Sequence, residues 1–248
     1  MEISSRKNPE IVKLVSLKDK KYRDEYGLYL AEGEKSVREA VKFGAEIVAL
    51  IGTDETVQGY IGGNFKIITV TRQIADYCCD SVTPQGIVAV IKKPENRLIA
   101  PLYNAVLLDN VQDPGNVGAI IRTMVALGIK DVYTVNCADP YSPKAVRASM
   151  SGIFNVSVHD GTYDEVFNCL NGVTVISGDM TGENVFTYKP SGKFCLAIGS
   201  EGKGLSERVR TFSDAFVKIP MSDKMESLNA GVSASVLLYQ LTFNQNKE

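Results

Sequence analysis

Histidine is almost missing from this chain: His159 is the only one in 248 residues. A single imidazole cannot build a histidine-ligated metal centre, and no Gly-x-Ser-x-Gly elbow accompanies it. No metal is expected, and His159 is expected to be structural or on the surface. Cysteine is scarce and odd in number. Cys78, Cys79, Cys137, Cys169 and Cys195 lack the paired spacing of a zinc site or a disulfide framework, which points to reduced, mostly buried thiols. Nowhere do about 18 apolar residues follow one another, and the N-terminus has no apolar signal core. A membrane span is excluded and the cytoplasm is expected. An excess of positive charge is missing too. The formal net charge is −2, so any attraction to nucleic acid has to come from a local patch. Internal repeats and low-complexity runs are also absent.

With 44% apolar and 23% charged residues the composition is globular, and the length suits one large or two modest domains. Lys92-Lys-Pro-Glu-Asn-Arg97, followed by Pro101, reads as a connector. It divides the chain into a domain at 1–93, a linker at 94–103 and a domain at 104–248. Residues 1–23 carry seven lysines and arginines against Glu2, Glu10 and Asp19. The spacing of Ile11, Val12, Leu14, Val15 and Leu17 predicts a helix with one apolar face and a basic back. That back is either a solvated surface or a phosphate contact. Strands are predicted at Gly27–Gly33, Ile47–Ile51, Phe65–Val70 and Gln85–Ile91, with helices at Glu34–Phe43 and Gln73–Cys79, which makes a small α/β unit.

The second part opens with a strand at Ala105–Asp109 and a helix at Val117–Leu127, for which Asn116 is the expected cap and Gly128 the left-handed stop. Further strands are predicted at Asp131–Val135, Phe154–Val158, Val173–Ser177, Phe194–Ile198 and Ala215–Ile219, and helices within Asp139–Ser149, at Tyr163–Leu170, from Leu205 and after Asn229. Lys144 and Arg147 lie three apart on one side of their helix, facing either a backbone phosphate or solvent. Such alternation of strand and helix argues a mostly parallel sheet covered on both faces.

Two strand ends in this part deliver polar loops: Gly199-Ser-Glu-Gly-Lys-Gly204, and the stretch after Pro220 that carries Ser222, Asp223, Lys224, Glu226 and Ser227 to Leu228 and Asn229. Ligands of open α/β sheets settle beyond the carboxyl ends of strands, where glycine lets main chain approach closely. The spacing Gly-x-x-Gly-x-Gly is neither the dinucleotide fingerprint nor a P-loop. Arg122 shares a helix face with Gly115, Gly118, Ala119 and Ala126, all too small to shield a guanidinium.

Three segments together resemble the SpoU-type RNA ribose 2′-O-methyltransferases of the SPOUT superfamily: Leu108-Asp-Asn-Val-Gln-Asp-Pro-Gly-Asn-Val-Gly-Ala-Ile-Ile-Arg122-Thr, Leu196-Ala-Ile-Gly-Ser-Glu201-Gly-Lys-Gly-Leu205, and Ile219-Pro-Met through Ser227-Leu-Asn229-Ala-Gly-Val-Ser233. Tyr29-Leu-Ala-Glu-Gly33-Glu-Lys-Ser-Val-Arg38 is similar to the family's N-terminal substrate-binding domain, a small ribosomal-protein-like α/β fold. The chain departs from the pattern at Ser149-Met-Ser-Gly152, where one serine is extra.

The resemblance implies a C-terminal, mostly parallel sheet with a deep trefoil knot, S-adenosylmethionine as methyl donor, and a homodimer whose active site takes residues from both subunits. It assigns catalytic roles to Asn116, Arg122, Glu201, Ser227 and Asn229. It places the donor against Ser177, Gly178, Gly199, Ser200, Gly202, Gly204, Ile219, Met221, Leu228 and Ala230. The expected reaction is methylation of a ribose 2′-OH in RNA, with 23S ribosomal RNA ahead of transfer RNA. A non-catalytic RNA-binding module has no need of Arg122, Glu201 and Asn229 together, and a nucleotide-dependent oxidoreductase would need the missing fingerprint.

Overall fold

Asn8 accepts a hydrogen bond from the Glu10 amide and Pro9 takes the first helical position, and together they start α1 (Pro9–Ser16). Asp19 caps α2 (Lys20–Tyr26) through the Lys21 amide. The N-terminus thus holds two short helices, not one helix with a basic back. Arg23 is only 3% exposed and donates to the carbonyls of Leu17 and Lys18, both at 2.8 Å, which ties it to the end of α1 and removes it from the surface. Then follow β1 (Leu28–Glu32), α3 (Glu34–Lys42), β2 (Ile47–Gly52), α4 (Asp54–Val57), β3 (Lys66–Thr69), α5 (Arg72–Cys78) and β4 (Ile87–Lys92).

These strands form a mixed sheet in the order β1-β4-β2-β3, with only β2 and β3 parallel. The unbroken apolar runs of β2 and β4 take its two central places, as burial on both faces requires. Ile11, Leu14 and Leu17 close over one face together with Ile74, Ala75 and Cys78, against Leu30, Ile51, Val88 and Val90. The computed structural model describes residues 2–225 and 227–245. They fall into two units, 2–95 with 141–154, and 96–140 with the described residues from 155 on.

The second unit contains β5 (Ala105–Asp109), α6 (Pro114–Ala126) and β6 (Asp131–Val135). The chain then passes through α7 (Pro143–Ala148), which belongs to the first unit, and resumes with β7 (Ser157–Asp160), α8 (Tyr163–Leu170), β8 (Thr174–Asn184), β9 (Phe194–Ile198), α9 (Glu207–Phe212), β10 (Ala215–Lys218) and α10 (Ala230–Gln245). Six strands build one all-parallel sheet in the order β10-β8-β9-β5-β6-β7. Every residue of β5 and β9 is buried, as the central strands of a covered parallel sheet must be. His159 is buried in β7, stacked on Tyr133 at 4.7 Å and hydrogen-bonded to Asp131 at 2.9 Å, a structural role.

Strand β8 runs seven residues past Ser177, where the apolar pattern stops. It pairs with β9 only as far as Ser177–Ala197, then shifts register, so that β10 meets it again at Glu183 and Asn184. Gly182 permits the shift, since a Cβ there would lie 2.4 Å from Phe216 backbone. Beyond Ser177 the edges of β8 and β9 part, and the space between them becomes the site.

On α7, Arg147 meets neither solvent phosphate nor empty surface. Its guanidinium pairs with Asp80 at 2.8 Å and with the nearly buried Glu32 at 3.5 Å. The extra serine of the 149–152 segment is absorbed by two successive left-handed residues, Met150 at φ 50 and Ser151 at φ 71.

Candidate active site

A cleft of about 230 Å³ lies at the carboxyl edge of the parallel sheet. Gly178 comes to it from β8, Gly199, Ser200 and Gly204 from the loop after β9, Ile219 and Met221 from the segment after β10, and Leu228 and Ala230 from the start of α10. The loop after β9 is closed on itself by reciprocal Ser200 and Gly204 hydrogen bonds of 3.0 and 2.9 Å. A side chain at Gly199 is impossible there, because its Cβ would lie 2.2 Å from Gly204 backbone. Two expected residues do not line the cleft. Ser177 is fully buried behind it, its hydroxyl 2.6 Å from that of Ser213, and Gly202 is exposed at the tip of the loop.

The cleft also contains residues that the motifs did not reveal. Asp179, Met180 and Lys218 line it. Asp179 went unseen because the apolar pattern of β8 ends two residues earlier. Burial pulls its carboxyl up, but hydrogen bonds from Thr181 and the Arg210 guanidinium outweigh burial and hold it below the ordinary carboxylate value. Lys218 makes no ion pair among the described residues. Ile198, Val217 and Leu237 add apolar side chains to the lining of the same cleft. This mixed lining suits a ligand that carries both apolar and charged groups.

At the mouth of the cleft three of the expected catalytic side chains meet. Asn116, 6% exposed, donates from Nδ2 to Glu201 and accepts on Oδ1 from Asn229 at 2.9 Å. Asn229 turns its own Oδ1 to the amides of Gly231 and Val232, at 2.9 and 3.2 Å, so it caps α10 while holding Asn116. Asn116 is not the cap of α6. Asp113 does that through the Gly115 amide at 2.9 Å, and α6 starts three residues earlier than Val117, which turns Asn116 inward. Gly231 permits the junction, because a Cβ at that position would stand 3.3 Å from Ala119 and 3.4 Å from Asn116 Oδ1. Thr123 and Ser235 continue the α6–α10 seam with a 2.8 Å hydroxyl contact.

Ser227 lines the cleft from its exposed loop, and Glu226 beside it lies outside the described residues. Arg122 stands apart: it is exposed, flanked by small residues, and joined by no hydrogen bond or ion pair to any described residue. The structure therefore brings Asn116, Glu201 and Asn229 together, with Ser227 at the cleft, and leaves Arg122 outside that network.

A parallel α/β sheet with a glycine-loop cleft at its carboxyl edge and an amide–carboxylate trio at the mouth has counterparts among known proteins. Residues 103–239, more than half the chain, match the SpoU rRNA Methylase family, and residues 8–89 match the MRM3-like substrate binding domain. The chain belongs to the SpoU rRNA methylase family. It is 30% identical to the 23S rRNA (guanosine(2553)-2'-O)-methyltransferase RlmP of Bacillus subtilis (strain 168), over 97% of this chain and 98% of that one. It is 33% identical over 63% of its length to the 23S rRNA (uridine(2479)-2'-O)-methyltransferase of Streptomyces viridochromogenes, of which it spans 60%. Among solved structures, the AdoMet-bound rRNA methyltransferase of Sinorhizobium meliloti superposes with a TM-score of 0.90 at 26% identity, covering 100% of this chain and 99% of the other. The AdoMet complex of the Streptomyces viridochromogenes SpoU methyltransferase AviRb gives 0.88 at 25% identity, with 96% and 98% covered.

Proposed function

We propose that this protein transfers a methyl group from S-adenosylmethionine to a ribose 2′-OH of ribosomal RNA. The observation that carries this is the Asn116–Glu201–Asn229 trio at the mouth of the glycine-loop cleft. The donor supplies the methyl carbon on a sulfonium. Main chain at Gly178, Gly199, Gly204, Ile219 and Ala230 would hold its flat ring, with Asp179 and Lys218 near its charged tail. The residues' task is mainly to align oxygen, carbon and sulfur, since an in-line displacement depends on geometry. A guanidinium stays protonated in proteins, so Arg122 is a donor, not a base. It holds the target phosphate and 2′-OH and stabilises negative charge on that oxygen as the bond forms. Asn116 orients the ribose, Glu201 fixes Asn116, and Ser227 and Asn229 support the loop.

The finer points of the proposal rest on supporting observations. A homodimer is supported by the exposed Val232, Tyr239 and Phe243 of α10, spaced along one stripe, and by Arg122 standing free on the adjoining α6, where it can complete a partner's cleft. Light scattering that finds only monomers at micromolar concentration rejects it. A trefoil knot is supported by the family and by α10 returning onto α6, β8 and β9. The domain division at 1–93, 94–103 and 104–248 makes the first part the RNA-choosing domain. Within residues 1–23, Arg6, Lys7, Lys13 and Lys21 have no carboxylate partner among the described residues, whereas Lys18 is tied to the carbonyls of Tyr77 and Cys79 and Lys20 to Asp24. Five free thiols support the cytoplasm.

The test is incubation with labelled donor and separated ribosomal and transfer RNAs, followed by mapping of the labelled nucleotide. Label on a ribosomal RNA ribose is expected. Label confined to transfer RNA replaces the substrate, and label on neither rejects the reaction.

A further inference from the structure

The last residue of β5 departs from the apolar run before it: Asp109 is fully buried, with 0% exposure. A carboxylate in that position is costly unless donors surround it. Three do, each from a different segment. The Ser206 amide donates to Oδ2 at 2.5 Å, while the Tyr163 hydroxyl and Asn110 Nδ2 donate to Oδ1 at 2.8 and 2.6 Å. Asn110 also reaches Tyr163 Oη at 2.9 Å, and its left-handed φ of 57 turns the chain sharply after β5. No arginine, lysine or histidine forms an ion pair with Asp109 among the described residues.

These bonds join the two loops that matter for the site. The loop carrying Glu201 leaves β9, which lies against β5, closes on itself between Ser200 and Gly204, and ends at Ser206. Ser206 caps α9 with its hydroxyl, which accepts from the Val209 amide, and so its own amide is free to bond Asp109. In the other direction Asp109 opens the turn that leads through Val111, also fully buried, to Asn116 on the first turn of α6. One carboxylate therefore sets the gap across which Asn116 reaches Glu201.

We propose that Asp109 is a positioning residue for methyl transfer, with Tyr163 as its auxiliary: it touches neither donor nor RNA and acts through the Asn116–Glu201 hydrogen bond. The inference rests on the methyltransferase reading above. Asp109→Asn replaces one acceptor oxygen by a donor. With the remaining oxygen on the Ser206 amide its Nδ2 would face Asn110 Nδ2, donor against donor, and with the remaining oxygen on Asn110 it would face the Ser206 amide. One contact is lost either way, and the Glu201 loop drifts.

The experiment is a mutant cycle of full-length Asp109→Asn, Glu201→Gln and the double variant. Single-turnover methylation is read at saturating donor and RNA, donor affinity by calorimetry, and folding by thermal midpoint. Asp109→Asn is expected to slow transfer by about 10- to 100-fold, since misplacement on the order of 1 Å costs that much. Donor Kd should stay within about threefold, and the Glu201→Gln effect should nearly vanish in the Asp109→Asn background, as coupling through one shared contact requires. A residue that merely stabilises the fold gives additive effects and a changed donor Kd, and that result overturns the proposal. If Asp109→Asn does not fold, Tyr163→Phe takes its place in the cycle, with a loss of a few-fold expected and additivity again the overturning result. Wild-type protein that methylates no RNA sinks the reading beneath the proposal. Wild-type transfer beside an unimpaired Asp109→Asn sinks this inference alone.

Discussion

Arg147 in the first unit and Arg122 in the second both stand on helices beside small or polar neighbours, and their surroundings are opposite. Arg147 is held by Asp80 and Glu32, two carboxylates brought to it from other elements of its unit. Arg122 has no such partner among the described residues. Other cations of the first unit are also tied down within it, Lys20 by the Asp24 carboxylate and Arg23 and Lys18 by main-chain carbonyls. Among the described residues of the second unit, the Arg122 guanidinium and, inside the cleft, the Lys218 ammonium have no carboxylate partner. A charge with its partners built in is a structural device. A charge left without them, on a face cleared of bulk, is available to a ligand that brings the opposite charge.

The sharpest way to break this contrast is to remove each arginine in turn. Arg122→Ala should lower single-turnover methylation by about 10²- to 10³-fold, the usual cost of losing a donor aimed at developing charge, with donor Kd within a few-fold. A near-normal rate removes Arg122 from both of its roles. Arg147→Ala should instead cost stability, about 1–2 kcal/mol after allowing for its partial exposure, because the Glu32 carboxylate keeps its burial and loses its cation. Urea midpoints measure the second effect, and methylation per folded molecule should stay within about twofold. If the effects are exchanged, the contrast is wrong.

Sequence alone could not tell these arginines apart, since each partner of Arg147 lies more than sixty residues away along the chain. What was legible was local. The apolar runs of β5 and β9 announced central parallel strands, and the glycine loop after β9 announced a cleft at their ends. Asn116, Glu201, Ser227 and Asn229 came from motif resemblance, not from periodicity, and the structure alone showed that three of them share hydrogen bonds. Asn116 was misjudged as a cap because the helix starts three residues before Val117, where Asp113 caps it through the Gly115 amide. Asp179 and Lys218 stayed hidden for a different reason: β8 and β10 continue past a register shift that no alternation of apolar residues marks.

The contrast is sharpened in the first unit by the cations that remain untied. Lys13 rests over the Tyr26 ring at 4.7 Å and Lys21 over Tyr22 at 5.4 Å, with no carboxylate partner among the described residues. Point substitutions are better probes than deleting residues 1–93, because deletion would strip α7 of β1, its partner within the unit. Lys13→Glu and Lys21→Glu should each weaken RNA binding several-fold at low salt and reduce the salt slope by about one. Donor binding should not change. An unaltered slope in both variants removes this surface from RNA recognition.

The smallest effect concerns Asp179, a charge of the cleft that is paired with a cation from within, Arg210. Thr181 and Arg210 hold its carboxyl below the ordinary value of 3.8 in spite of burial. A group whose pKa is depressed by folding stabilises the protein above its unfolded value, and that contribution disappears as pH falls through the folded one. Wild-type protein should therefore lose a small increment of stability as pH drops below 3.8, and Asp179→Asn, which has no proton to take up there, should not. The two urea midpoints should differ at pH 6 and converge towards pH 3, at moderate salt so that long-range charge is screened. A constant difference across that range would mean that hydrogen bonds to Thr181, and not the charge of Asp179 against Arg210, hold this wall of the cleft.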